Sequence, residues 1–421
     1  MNTNHRMPGW RAAACLILAL VLVPQAQADT ATPQLRQLVE RLLAEHPRMA
    51  EARAALEAAR ARGEAADRPL YNPELELDAE RAEGDTDSIG ISQTIDLGNK
   101  RGARSKAAVA RLAAARARID ATRIELEGRF LTALAEWQTA RALDALAAER
   151  ARLMARFETL AEKRFDAGDI TQVDLDLARQ ARLRAALSRS RARGELSAAG
   201  EQLRALLPNA PSAWPALPER LPALERVDAE ALLPQLPRMR EAMAEVEASR
   251  GELELSRSNR IINPTIGVRA GRENDSSLVG VTLSVPLYIR NSYRAEVQAA
   301  GAELASAEAA LQRVRRERLA ALNSAAERYR LIRAGWRQWQ RAGAPSLSRQ
   351  TATLERLWQA GELGTTEYLV QLDQTLETRA EAMRTRGELW QRWFEWLTVS
   401  AQLDQWLGRA AAPAPQQEQN P

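Results

Sequence analysis

One cysteine, Cys15, and two histidines, His5 and His46, are the only thiol and imidazole groups in 421 residues. Cys15 lies within the apolar run from Ala12 to Val23, behind Arg6 and Arg11 and ahead of Pro24 and Ala26-Gln27-Ala28. That order predicts a secretory signal peptide over residues 1–28, too short to span a bilayer as a helix. Its removal leaves no cysteine, which excludes disulfides and thiolate metal sites; Cys15 also precedes most of the run, the wrong place for a lipoprotein anchor. His46 is then the sole imidazole, and no Ser/His/Asp set, Gly-rich phosphate loop or HExxH motif occurs, so an enzyme with a resident cofactor or metal is not expected. Aromatic residues are 5% of the chain, and no later apolar run is long enough for a transmembrane helix, so insertion in a membrane would have to use strands. The net charge is only +4, with acids and bases interspersed as solvated faces, and gives no reason to expect a nucleic-acid partner.

Proline is absent from residues 100–165 and glycine occurs there only as Gly102 and Gly128, in a background of Ala, Leu, Arg and Glu. These are strong helix formers, and such a helix would be about 100 Å long, beyond what a globular core requires. Leu112, Ile119 and Leu126, then Leu146, Leu153 and Leu160, recur every seven residues, a coiled-coil spacing with alanine between. The matching second segment, 292–358, is interrupted at Gly343-Ala344-Pro345, where a kink or break is expected.

Each long helix follows an alternating passage. Asn72-Pro73 opens a run in which Leu75, Leu77 and Ala79 alternate with Glu74, Glu76, Asp78 and Glu80. Asp85-Thr86-Asp87 is read as the turn, and Ile89, Ile91, Ile95 and Leu97 return interleaved with Gly90, Ser92, Thr94 and Asp96. The pattern repeats 191 positions on: Asn263-Pro264, then Ile266, Val268 and Ala270, a loop at Glu273-Asn274-Asp275, and Val279, Val281, Leu283, Val285 and Leu287 alternating with Gly280, Thr282, Ser284 and Pro286. Apolar residues on one face and polar ones on the other, over about ten residues, is the pattern of a transmembrane β-strand. Ile89, Ile91, Ile95, Leu97, Val279, Val281, Leu283 and Val285 are the expected lipid-facing residues. Four strands cannot close a barrel, so other copies must supply the rest, and an open pore needs at least three. The plainer alternative is an amphipathic sheet capping a helical bundle.

Each long helix also ends in one phrase: Phe165-Asp166-Ala167-Gly168-Asp169-Ile170-Thr171-Gln172-Val173-Asp174, and Trp358-Gln359-Ala360-Gly361-Glu362-Leu363-Gly364-Thr365-Thr366-Glu367. Glycine past a helix is a C-terminal cap, and Thr171 or Thr365, with Asp174 or Tyr368 three residues on, is a plausible start for the next helix. The expected organisation is a first repeat over 29–216, with a short helix, a β-hairpin at 72–97, a long helix at 100–165 and a short helix at 172–206. A second repeat over 217–408 has its hairpin at 263–288, its long helix at 292–358 and a short helix at 366–407. The Pro-rich stretch 208–222 crosses between the halves, and the tail 409–421 is too polar and Pro-rich to fold.

The duplication, the glycine helix turns and the passage Ser92-Gln93-Thr94-Ile95-Asp96-Leu97-Gly98-Asn99-Lys100-Arg101 resemble the TolC family of outer membrane efflux proteins, that passage being nearer the cobalt-zinc-cadmium resistance branch than the multidrug branch. The likeness covers about Leu35 to Leu407. It implies a mainly α fold with a small β part, in which long antiparallel helical hairpins form an α-barrel in the periplasm. Four strands per copy would build a twelve-stranded transmembrane barrel in the outer membrane of a homotrimer. It further implies a periplasmic adaptor and an inner-membrane pump of the resistance-nodulation-division type as partners, outer membrane lipid around the barrel, and export of divalent heavy-metal cations. Drug efflux or type I protein secretion remains open within the family. A periplasmic coiled-coil adaptor or structural protein is the alternative of another class, but this chain has two hairpins and none of the Gly- and Val-rich domains that flank an adaptor's single one.

The resemblance also implies a gate at the periplasmic tip. Its residues would be Phe165, Gly168, Thr171, Asp174, Trp358, Gly361 and Glu367, with the Trp358 indole N–H donating to Asp174 where relatives often carry a tyrosine. Leu363 stands where some members have an arginine. A plainer reading has Asp174 and Glu367 only favouring the first turn of the next helix. Glu74, Glu76, Asp78 and Glu80 suggest a metal cluster, but acids on one face of a straight strand stay hydrated and do not converge. Trp390, Trp393, Trp396 and Trp406 read as a packed helix stripe.

Overall fold

A computed structural model describes residues 30–81, 85–207, 209–224 and 227–409. The expected signal peptide and residues 410–421 of the tail lie outside these. The chain runs α1 (Pro33–Glu45), α2 (Pro47–Asp67), β1 (Glu74–Arg81), β2 (Asp85–Thr94), α3 (Lys100–Asp166) and α4 (Gln172–Leu206). It continues through α5 (Ala229–Leu232), α6 (Pro237–Ser258), β3 (Thr265–Glu273), β4 (Ser276–Ser284), α7 (Arg294–Gln338), α8 (Ala344–Gln359), α9 (Thr365–Val399) and α10 (Leu403–Trp406).

Prolines divide the helices that precede each hairpin. The expected single helix before β1 is two, because Pro47 lacks the N–H the helix needs; His46 ends α1 and caps α2, its Nδ1 accepting from the Arg48 N–H at 3.1 Å. The helix before β3 is split likewise into α5, a 3₁₀ turn at Leu233–Gln235 and α6. The first long helix is continuous for 67 residues. The second is in two parts: α7 passes through a π-helical turn, Trp339–Gly343, into α8, with Pro345 in the first turn of α8. The helix therefore widens by one turn rather than stopping.

The two hairpins, one from each repeat, join. β2 pairs antiparallel with β3, so all four strands form one sheet in the order β1-β2-β3-β4. The first turn also differs: Asp85, Thr86 and Asp87 lie in β2, opposite Arg81, Glu80 and Ala79. The second turn is Asn274-Asp275, with Asn274 left-handed at φ 53°. Asn274 joins the hairpin tips, its N–H donating to the Asp85 carbonyl at 2.8 Å and its side-chain oxygen accepting from the Asp85 N–H at 3.1 Å.

Below the sheet, α3 packs against α2, α4, α6 and α9, and α7 packs against α6 and α9. Small residues set the closest approaches. A Cβ on Gly251 of α6 would come within 2.8 Å of Ala107 on α3, and Cβ atoms on Gly128 and Gly387 would collide with Thr398 and Thr139 across the α3–α9 contact. The main core lies midway along the helices, where Phe130, Leu131 and Leu134 of α3 meet Trp390, Trp393, Phe394 and Trp396 of α9, with Trp406 of α10 and Leu35, Val39 and Leu42 of α1. The four tryptophans are thus a buried stripe, at most 7% exposed. The crossover segment is laced over this belt: Gln138 donates to the Pro215 carbonyl at 2.8 Å and Tyr329 to the Pro222 carbonyl at 2.6 Å.

The expected tail does not begin free. Arg409 enters a buried ion network, pairing with Glu127 at 2.6 Å and Asp404 at 2.8 Å, while Arg123 grips Asp404 with two hydrogen bonds of 2.8 and 2.9 Å. Burial of the fully enclosed Glu127 pushes its carboxyl above the ordinary glutamate range, against the lowering effect of Arg123 and Arg409. Burial would also raise Asp404, but the Arg123 hydrogen bond and charge, with Arg409, hold it below its usual value.

Candidate functional site

Two ends of the molecule carry the expected functional residues. At the sheet, the register places rows of four side chains across the strands. Leu75, Ile91, Val268 and Val281 form one row, and Leu77, Ile89, Ala270 and Val279 the next, all on one face. Leu283 lies opposite Ile266 on the same face. The large side chains of these rows are exposed, up to 83% at Val279, and the exposure continues past the strands through Ile95, Leu97, Val285, Leu287 and Ile289. An exposed apolar surface this wide is an interaction surface.

The other face reads Glu74, Ser92, Gly267, Thr282, then Glu76, Gly90, Arg269, Gly280, then Asp78, Ser88, Gly271, Leu278. It is polar, and its centre is crowded. Ser92 is 2% exposed, and a Cβ on Gly267 would come within 3.0 Å of it. The acids of β1 are exposed, and the nearest cation, Arg269, is 4.0 Å from Asp78. Among the described residues, no group of three or more His, Cys, Asp or Glu side chains is placed to hold a metal ion. Among the described residues, the outer edges of β1 and β4 have no partner strand.

At the opposite end, both helix turns close in the same way. Gly168 and Gly361 are left-handed, at φ 82° and 76°. The Asp169 N–H reaches back to the Arg164 carbonyl at 2.8 Å, and the Glu362 N–H to the Leu357 carbonyl at 3.0 Å, the Schellman pattern that only glycine accommodates without strain. Thr171 caps α4: its hydroxyl accepts from the Asp174 N–H at 3.2 Å, and the Asp174 carboxylate accepts from the Thr171 N–H at 3.1 Å and from its hydroxyl at 2.7 Å. In the second repeat the cap is Gly364, and Thr365 lies inside α9. Glu367 is exposed and accepts from Gln371 at 3.2 Å.

The expected Trp358–Asp174 hydrogen bond is not formed. Asp174 is engaged by Thr171, and Trp358, 4% exposed, is turned into a cluster with Phe157 and Tyr368, its ring centroid 4.5 and 5.0 Å from theirs. The indole N–H is buried without a partner. Burial raises the Tyr368 hydroxyl to about 12, so it stays protonated. Phe165 stays partly exposed at the turn.

The link between the two turns is made by Arg164, which the sequence did not single out. From the last turn of α3 its Nη2 donates to the carbonyls of Trp358 and Gln359, at 3.2 and 3.1 Å, and its guanidinium lies over the Trp358 ring. A cation at these terminal carbonyls meets the negative end of the α8 dipole. Further up, Arg150 pairs with Asp373 at 2.6 Å and Arg379 with Glu149 at 3.2 Å, joining α3 to α9.

Residues 38–209 match the model of the outer membrane efflux protein family. The nickel-cobalt-cadmium resistance protein NccC of Alcaligenes xylosoxydans xylosoxydans is 29% identical over 335 residues, 75% of each chain. Among solved structures, the outer-membrane channel OprN aligns with a TM-score of 0.76 at 18% identity, over 88% of this chain and 90% of that one. CusC aligns at 0.76 and 16% identity, over 93% and 98%. VceC of Vibrio cholerae aligns at 0.72 and 18% identity, over 87% and 96%. At these identities the solved structures share the fold, that of outer-membrane channels.

Proposed function

We propose that this chain, whose residues 38–209 match the outer membrane efflux protein family, is the outer membrane exit duct of a tripartite efflux system. The observation that carries this is the four-stranded sheet, apolar on one face, polar on the other and open at both edges, mounted on a 67-residue helix. Strand edges exposed inside a membrane are not tolerated, because lipid offers no hydrogen bonds. The edges of β1 and β4 are satisfied if copies pair edge to edge, and three copies give a closed twelve-stranded barrel wide enough for a pore. The apolar rows then face lipid, the Glu, Ser, Thr and Gly rows face the lumen, and the helices continue the duct into the periplasm. The tip around Gly168 and Gly361 is the gate, where an adaptor and a resistance-nodulation-division pump would engage.

Divalent heavy-metal cations are the proposed cargo. The likeness to NccC, a nickel-cobalt-cadmium resistance protein, and the passage from Ser92 to Arg101 support this, and hydrated acids along β1 suit a cation passing without being held. The test is a deletion strain exposed to nickel, cobalt, cadmium, zinc, dyes and antibiotics. Sensitivity confined to the metals supports the cargo; sensitivity to drugs alone overturns it. Native mass spectrometry in detergent tests the assembly separately: three times the protomer mass is expected, and a stable monomer would end the idea.

A further inference from the structure

We propose that the junction between sheet and helices binds the phosphates of anionic phospholipid headgroups, a proposal that rests on the sheet lying in a membrane. Four helix ends meet there: α2 and α6 finish at Asp67 and Ser258, and α3 and α7 begin at Lys100 and Arg294. The exposed apolar face reaches this level through Leu97, Ile261, Leu287 and Ile289. Tyr288 and Tyr293 stand edge to face at 5.0 Å, as the amphipathic rings of an interfacial girdle do.

Immediately beyond lie Arg68, Arg257, Arg260, Arg290 and Arg294, all exposed. Among the described residues none of the five has a carboxylate within 4.0 Å, although ion pairs are frequent elsewhere on the same helices, as in Arg111–Glu252 and Arg118–Glu241. The acids nearby are already engaged. Asp67 pairs with Arg101 at 3.2 Å, Glu254 pairs with Lys106 at 3.0 Å, and Glu296 accepts from Asn291.

α3 begins with Lys100 and Arg101, where the Asp96 carboxylate accepts from the Arg101 N–H at 2.9 Å, and α7 begins with Arg294, with Glu296 in the same turn. Lys100 is 5% exposed and has no acidic partner; its amine lies 3.2 Å from the Asn263 amide oxygen in the orientation that also accepts from the Tyr71 hydroxyl. A guanidinium fork matches phosphate oxygens in pairs, so arginines at the depth of the headgroups suit phosphodiesters. The helical side of the sheet faces the periplasm on the proposed function, which makes the occupant a phospholipid of the inner leaflet.

The test is native mass spectrometry of the detergent-purified assembly after equilibration with equal amounts of phosphatidylglycerol and phosphatidylcholine. Wild type should retain phosphatidylglycerol several-fold over phosphatidylcholine. R260Q/R290Q/R294Q should bring that ratio close to one with the assembly mass unchanged, and R260K/R290K/R294K should keep most of the preference. Equal retention by wild type, or an unchanged ratio in the glutamine variant, overturns the proposal and leaves the membrane reading standing. Retention of neither lipid, with release of the protein from cells without detergent, overturns both.

Discussion

Arg164 lies over the Trp358 ring, its guanidinium carbon 4.9 Å from the ring centroid, while its Nη2 donates to the carbonyl of the same tryptophan at 3.2 Å. One side chain thus holds the end of the first long helix to the end of the second. Separating the two turns must break a stacking contact and two hydrogen bonds. Arg164→Ala is expected to raise single-channel conductance in planar bilayers several-fold. Asp174→Ala, which removes a helix cap, should leave conductance unchanged and cost about 1 kcal/mol of stability. The reverse pattern would return the gate to Asp174.

On the proposed function the apolar rows of the sheet face lipid and should tolerate no charge. Ile91→Arg or Leu283→Arg should weaken assembly by roughly 2 to 4 kcal/mol per protomer, seen as lost trimer in outer membrane fractions. On the polar face the two serines differ. Ser284 is exposed and should accept arginine, whereas Ser92 is enclosed beneath Gly267 and should not. A defect at Ser284 equal to that at Leu283 would show that the faces are misassigned.

The Arg123–Asp404 pair sets a pH dependence. Asp404 ionises more readily in the folded protein than unfolded, so it contributes stability above about pH 4 that is lost as pH falls through its lowered pKa. Glu127, with its raised pKa, acts in the opposite sense: its contribution is complete below about pH 4.5 and declines as pH rises. Asp404→Asn should therefore destabilise by roughly 2 kcal/mol near neutrality, by loss of charged hydrogen bonds, and the deficit should shrink in acid. Tryptophan fluorescence during denaturation at several pH values measures it, since Trp406 and Trp390 are buried nearby; a pH-independent deficit would exclude the ionic account.

Gly168 and Gly361 are expected to be the least replaceable tip residues. A Cβ at either meets no neighbouring atom within 4 Å, so any cost is conformational. Alanine should cost roughly 1 to 2 kcal/mol at each left-handed position, measurable as a drop in melting temperature. No change at either would mean that the turn relaxes into another conformation.

Local pattern revealed what depends on local pattern. The two-residue alternation assigned Ile89, Ile91, Val279 and Val281 to one face, and the glycines marked both helix ends. The pairing of β2 with β3 was hidden, because alternation specifies a face and not a partner about 180 residues away. It also misplaced the first turn, since Asp85 and Asp87 are turn formers that here pair within a strand. Arg164 was invisible among many arginines: the target of a long flexible side chain is fixed by tertiary geometry and not by spacing. Trp358 was read through its hydrogen-bonding edge, whereas its apolar area, in contact with Phe157 and Tyr368, decides its orientation. Arg409 was lost in a composition of alanine and proline because a buried carboxylate, Glu127, defines its place.

The π-helical turn at Trp339–Gly343 makes the two repeats mechanically unequal. α3 is an uninterrupted strut, whereas the second long helix has a joint, leaving α8 as a lever of 16 residues, about 24 Å, hung between that joint and the Arg164 contact. Spin labels near the tip ends of α3 and α8 would report the difference, with larger distance changes for α8 whenever the tip is released. On the proposed function, a tube built from three such protomers would open by swinging its three jointed staves while the three rigid ones stand still, so that the aperture widens by a rotation and not by dilation of the whole wall.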